Sequence, residues 1–181
     1  MVHLFLAAGF EEIEALMTVD ILRRARIEVN MVSISGSRTV VGAHGIAVKA
    51  DAIYKKSIWE ESDCLIFPGG MPGADNLRKH DGVRNAVQQM NAKGGYIAAI
   101  CASPALVLGT SGVLNSRKAT TYPGTGKVED EAIYLEDNLV VDENIITAKA
   151  PAFTSDFAFK IVEALKGIDA VNDVKRAMCL I

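Results

Sequence analysis

A chain of 181 residues, half of them hydrophobic and with a formal charge of −3, is long enough to bury a large core without disulfide or metal staples. The near-neutral balance, with a sequence pI of about 5.6, excludes broad electrostatic attraction to nucleic acid or to an acidic membrane. A mean hydropathy of +0.21 is high for a water-soluble chain and suits a parallel sheet covered by helices on both faces.

The three cysteines, Cys64, Cys101 and Cys179, are widely spaced, with no CxxC or Cys/His ligand spacing. That pattern predicts free thiols in a reducing compartment, with neither a disulfide framework nor a structural metal site. Met1-Val2-His3-Leu4-Phe5-Leu6 enters a strand without a basic leader or a small-residue cleavage site. The longest mostly apolar stretch, Tyr96 to Leu108, is too short to cross a bilayer and is broken by Cys101, Ser103 and Pro104. A cytoplasmic protein is expected.

In chain order, Val2–Leu6 reads as a strand closed by the turn Ala7-Ala8-Gly9-Phe10. Helical spacing follows from Glu12 to about Arg26, with Ile13, Leu16, Met17, Ile21 and Leu22 on one broad apolar face. Residues 28–35 alternate as a strand, and Val40-Val41 with Ile46–Val48 flank Gly42-Ala43-His44-Gly45 as an accessory hairpin. Cys64–Pro68 is a buried strand that runs into the loop Gly69-Gly70-Met71-Pro72-Gly73. A helix is predicted over Gly82–Lys93, a buried strand over Tyr96–Ile100, and a second helix over Ala102–Gly109 after a turn at Cys101. Short strands at Ala119–Thr121, Leu139–Val141 and Ile145–Ala148 precede helices at Asp156–Leu165 and Ala170–Met178. No repeat or linker divides residues 1–181, which are expected to form one domain. Strands alternating with helices predict a three-layer α/β sandwich with a mostly parallel central sheet.

In such a sheet the site lies beyond the carboxyl ends of the central strands. Three loops leave those ends: Ala7–Glu12, Gly69–Asn76 and the Cys101 turn. Ile100-Cys101-Ala102-Ser103-Pro104 has the layout of a nucleophile elbow, in which a strained turn lifts a side chain over the sheet and small neighbours let the backbone pass closely. A helix N-terminus behind it would lower the thiol pKa and stabilise an oxyanion. The same local pattern also fits a small buried hydrophobe, which is what most lone cysteines are. Cys64, inside a strand, reads as structural.

Glu11, Glu12 and Glu14 crowd the start of the first helix. Dipole complementarity suffices for Glu11 and Glu12. Glu14 heads a row with Met17 and Ile21, so its carboxyl leans into apolar packing, where its pKa rises and it can exchange a proton with a thiol. Three carboxylates and no GxGxxG or P-loop disfavour a pyrophosphate site at this turn. Gly69-Gly70 can offer a backbone N–H near Cys101, but a glycine loop alone is a weak signal and fits a plain tight turn better. No histidine follows Cys101. His3 reads as structural, His80 as a solvated loop residue, and His44, in the hairpin turn, keeps some functional potential. A standard Cys-His dyad is therefore not expected.

Together these segments resemble the ThiJ/PfpI family, in the branch of the human parkinsonism-associated protein deglycase. The resemblance rests on Ala8-Gly9-Phe10-Glu11-Glu12-Ile13-Glu14, Asp20-Ile21-Leu22-Arg23-Arg24-Ala25, Phe67-Pro68-Gly69-Gly70, Ala98-Ala99-Ile100-Cys101-Ala102-Ser103-Pro104, Thr120-Thr121-Tyr122-Pro123 and Phe157–Leu165. It implies a flavodoxin-like sandwich and a homodimer paired across the first helix. Cys101 becomes an oxidisable nucleophile, Glu14 its protonated carboxyl partner, and the Gly70 and Ala102 N–H groups an anion-binding pair.

The implied activity is cofactor-independent, metal-independent conversion of α-oxoaldehydes or repair of early glycation adducts, so the partners are a small aldehyde or a glycated protein. The alternative is a redox sensor or chaperone in which Cys101 is oxidised to sulfinic acid with little turnover. A third reading is a dimeric binding module with an inert Cys101. Three departures touch the pocket. Tyr122 stands where the family often has histidine, Lys149-Ala150-Pro151-Ala152 replaces an Arg-Gly-Pro-Gly segment, and His44 replaces an arginine of the accessory turn. Ala102 stands where the protease branch has histidine, which argues against peptidase activity.

Overall fold

The structure, a computed structural model, describes residues 1–57, 60–125 and 131–181. The elements in chain order are β1 (Val2–Leu6), α1 (Glu12–Arg24), β2 (Val29–Ser33), β3 (Thr39–Val41), β4 (Ala47–Lys49), β5 (Ala52–Ile53), β6 (Cys64–Phe67), α2 (Gly73–Lys79), α3 (Asp81–Ala92) and β7 (Tyr96–Ile100). After a π-helical segment at Pro104–Gly109 come β8 (Lys118–Ala119), β9 (Ile133–Tyr134), β10 (Leu139–Asp142), β11 (Ile145–Ala148), a 3-10 turn at Pro151–Phe153, α4 (Thr154–Lys166) and α5 (Ile168–Ala177). Seven strands form one sheet in the order β10-β11-β7-β6-β1-β2-β5, parallel except for the β10–β11 pair. The fold is the expected mostly parallel, flavodoxin-like α/β sandwich.

The central strands read as unbroken apolar runs because both of their faces are buried, and alternate residues feed two separate cores. Leu4, Leu6, Ile66, Ala98 and Ile100 pack with Ile21, Leu22, Phe157 and Ile161 of α1 and α4. Phe5, Leu65, Phe67, Ile97 and Ala99 pack on the opposite face with Leu77, Val83, Val87 and Met90 of α2 and α3. Phe5 and Phe67 stack there with centroids 5.1 Å apart. Each large side chain so buried contributes about 1.5–3 kcal/mol relative to exposure. β1 and β6 are neighbours, while the chain leaves β1 first toward β2 on the other side. This reversal opens a crevice at the carboxyl ends of β1, β6 and β7.

Several expected elements shift. α1 does not bury one broad face: Glu14, Ala15, Thr18, Ile21 and Leu22 point inward, whereas Ile13, Leu16 and Met17 are 52%, 36% and 39% exposed. Apolar residues at 13, 16 and 17 form a second stripe, which periodicity alone merges with the first. The helix α2 lies where a loop was expected. The strand predicted at Ala119–Thr121 ends at Ala119 and pairs with β9 in a separate small sheet. His80 is not a solvated loop residue: it is half-buried, its Nδ1 accepts from Val83 N at 3.1 Å to cap α3, and its ring meets Tyr54 edge-on.

Candidate active site

β7 delivers the chain to Cys101, whose φ of +64° lies in the left-handed region, where a residue with a Cβ costs about 1–2 kcal/mol. Hydrogen bonds on both sides of the residue offset that strain. Its N–H donates to Ala148 O at 2.9 Å, and its carbonyl accepts from Tyr122 N at 2.7 Å and from Thr121 Oγ1 at 2.9 Å. Ala99, Ala102 and Ser103 are buried around the turn, so small side chains are needed there. The segment that follows is π-helical and begins at Pro104, so a regular α-helix over Ala102–Gly109 is not formed.

α1 brings Glu14 to the sulfur. Its side chain has no exposed surface, and Oε2 accepts from Gly69 N at 2.6 Å. Oε1 is buried with no conventional hydrogen-bond partner, leaving the carboxyl to face the Cys101 thiol. Of the row that spacing suggested, Ile21 is buried with Glu14 as expected, whereas Met17 is exposed and Thr18 is buried instead. The Gly69-Gly70 loop completes the site. A Cβ at Gly69 would stand 2.7 Å from Cys101 Cβ and 2.9 Å from Glu14 Oε2, so no larger residue fits. Gly70 has φ +86°, and its N–H and that of Ala102 act on the Cys101 sulfur to favour its ionised form. The first loop closes against the second through Glu11 N to Gly69 O at 2.9 Å and Gly73 N to Gly9 O at 3.1 Å. All three loops expected at the crevice thus converge.

Burial raises the Glu14 pKa from 4.5 to about 7, against the pull of the Gly69 N–H. Burial and then the facing Glu14 carboxylate push the Cys101 thiol up to about 12, and the Gly70 and Ala102 N–H groups pull the other way. A depressed thiol pKa was expected from a helix terminus. Desolvation at 8% exposure outweighs two N–H dipoles. The pair therefore gains one negative charge, on Glu14, as pH rises through about 7, and the thiol proton then has an acceptor beside it in Glu14.

The other candidates sit apart. His44 Nδ1 pairs with Glu12 Oε2 at 2.7 Å, and His44 N donates to Glu12 Oε1 at 2.7 Å. Burial raises Glu12, but these hydrogen bonds outweigh it and hold the carboxyl below its ordinary value. The Glu12 hydrogen bond in turn raises His44. Glu12 thus fastens the β3–β4 hairpin to α1, and Glu11 caps the helix by accepting from Glu14 N at 2.7 Å, roles beyond dipole complementarity. Glu11, Glu12 and His44 are a group of described residues with ligand atoms within 4.8 Å of one another, but these hydrogen bonds already engage them. Tyr122 meets Cys101 through its backbone, while the residue as a whole is 46% exposed. Pro151 is half-buried and opens the 3-10 turn beyond β11. His3 and Cys64 are buried and Cys179 is exposed. Sequence reasoning missed Ser103 and Thr121 as parts of this site. Both lie inside the segments that carried the family resemblance, but only their bonds to Pro68 O and Cys101 O disclose a role.

The DJ-1/PfpI family matches residues 1–164. The chain belongs to this family. It is 32% identical to the "Parkinson disease protein 7 homolog" of Danio rerio, over 97% of this chain and 94% of that protein. It is 33% identical to the "Glutathione-independent glyoxalase DJR-1.2" of Caenorhabditis elegans, over 94% of this chain and 90% of that one. The chain spans only 45% and 39% of the length of two Arabidopsis thaliana relatives, DJ-1 homologs A and B. Among solved structures, oxidized Toxoplasma gondii DJ-1 superposes with a TM-score of 0.92 at 35% identity, covering 98% of this chain and 97% of that one. Drosophila melanogaster DJ-1beta gives 0.92 at 30% identity, covering 98% and 96%. Among the described residues of this DJ-1/PfpI chain, no helix is long and apolar enough to cross a membrane.

Proposed function

We propose that this chain is a cofactor-independent glyoxalase-type enzyme of the DJ-1/PfpI family, acting on α-oxoaldehydes or early glycation adducts. The observation that carries the reading is the strained Cys101 facing a fully buried Glu14, with the Gly70 and Ala102 N–H groups favouring negative charge on its sulfur. The name of the C. elegans relative supports the reaction class.

With methylglyoxal, Cys101 sulfur bonds to the aldehyde carbon as its C=O π bond opens, and the thiol proton passes through the Glu14 carboxylate to the aldehyde oxygen, giving a neutral hemithioacetal and leaving Glu14 ionised. The Gly70 and Ala102 N–H groups favour negative charge at this position. Ionised Glu14 then takes the proton from the aldehyde-derived carbon, giving an enediol as the former ketone oxygen gains a proton. It returns that proton to the neighbouring carbon as the hydroxyl on the sulfur-bearing carbon loses its own, leaving a lactoyl thioester. Water cleaves the thioester, releasing lactate and restoring the thiol. The net change is addition of one water to methylglyoxal. Methylglyoxal turnover read as D-lactate tests this: Cys101→Ser should abolish it and Glu14→Gln should lower it by about 100-fold or more. Full lactate production by Glu14→Gln would sink the mechanism.

A second reading is redox sensing, favoured by the same N–H pair, which suits a sulfinate, and by an oxidized form of the Toxoplasma relative. Two equivalents of peroxide would convert the Cys101 thiol to a sulfinic acid with loss of two waters. Intact mass should then show two added oxygens on Cys101; even oxidation over Cys64 and Cys179 counts against it. In either case we propose a homodimer across α1, supported by the exposed Ile13, Leu16 and Met17.

A further inference from the structure

We propose that Ser103 is a positioning residue that sets the proton affinity of Glu14 through the peptide unit joining Pro68 to Gly69. The Ser103 hydroxyl donates to Pro68 O at 2.6 Å, and the N–H of that same peptide, carried by Gly69, donates to Glu14 Oε2 at 2.6 Å. The bond is not among the cis peptides, so its C=O and N–H point to opposite sides and relay from hydroxyl to carboxyl. All the parts are dry: Ser103 and Glu14 are both 0% exposed, as is Phe67, just before Pro68. A donor on a carbonyl polarises the amide and strengthens its N–H toward an acceptor, the more so in a low-dielectric interior. Ser103 therefore favours the ionised form of Glu14, opposing its burial.

The titratable groups acting on Glu14 are the Cys101 thiol on the elbow after β7 and the Glu11 carboxylate in the turn before α1; Gly69 contributes only its N–H. Ser103 touches none of these side chains through a hydrogen bond of its own. Its influence on Cys101 passes through Glu14, and that catalytic consequence rests on the function proposed above. The relay itself does not.

The test is the Glu14 titration followed by 13C NMR with carboxyl-labelled glutamate, the resonance assigned by its loss in Glu14→Gln. Ser103→Ala should raise the Glu14 titration by about half a pH unit, since one relayed bond changes the next by roughly 10–30%. The Gly69 amide proton should move upfield with it. Ser103→Cys, a weaker donor that keeps the site filled, should fall between the two. A Glu14 titration and Gly69 resonance unmoved in folded Ser103→Ala, or in Ser103→Cys should the first not fold, would overturn the relay and leave a purely structural hydroxyl. Lactate formation by the wild type is measured in parallel. Its absence with a shifted Glu14 removes the enzyme reading alone, and its presence with an unshifted Glu14 removes the relay alone.

Discussion

Replacing Glu14 by glutamine should make the protein more stable at pH 8 and leave it unchanged near pH 4. The Gln side chain keeps an oxygen for Gly69 N and offers an amide N–H to the Cys101 sulfur, so the packing survives. What disappears is the ionisation. The folded-state pKa is raised, from 4.5 to about 7, so the folded state holds the proton more tightly than the unfolded chain. The stability this provides is fully present below the unfolded value of 4.5 and is lost as pH rises through about 7. The shift corresponds to about 3 kcal/mol across that window. For a chain of this size that is roughly 6–12 °C in Tm.

The assay is urea unfolding of wild type and Glu14→Gln from pH 4 to pH 8, taking the difference in stability at each pH. His3, held below its ordinary value by burial, and His44, raised by Glu12, titrate alike in both proteins and cancel. Cys101, pushed up to about 12, remains a thiol throughout. A difference constant to within about 0.5 kcal/mol over this range would refute the claim that burial raises the Glu14 pKa.

Gly70→Ala should destabilise the fold by about 1–3 kcal/mol and abolish turnover, because its Cβ would meet Glu11 N at 2.4 Å in a backbone already at φ +86°; urea midpoints and lactate assays read both. Cys101→Gly should be more stable than Cys101→Ala by about 1 kcal/mol, since glycine relieves the left-handed strain at this residue; equal melting temperatures would show an unstrained elbow. Met17→Asp, placing charge in the exposed apolar stripe of α1, should shift sedimentation from dimer toward monomer while leaving the far-UV spectrum unchanged.

Much of this architecture was legible in the residues. Unbroken apolar runs at Val2–Leu6, Cys64–Phe67 and Tyr96–Ile100 require burial on both faces, and that condition alone implies a parallel sheet between helical layers. Small residues on either side of Cys101 announced a tight elbow, because local sterics are written in local sequence. The stripe at Ile13, Leu16 and Met17 was misassigned because periodicity records which residues are apolar and not which partner covers them.

The chemistry of the site lay beyond the reach of spacing. Residues 14, 69, 101, 103 and 121 meet only after strands distant in sequence pair in the sheet, so their hydrogen bonds are products of topology. The thiol shows this best. A dipole argument from the sequence expects a lowered pKa, but the tertiary structure buries the sulfur against a buried carboxylate and reverses the sign. Charge solvation depends on everything packed around a group, and no local pattern contains that sum. The sequence determined that Cys101 stands on a sharp turn above the sheet; only the folded arrangement decided that it is buried against the Glu14 carboxyl.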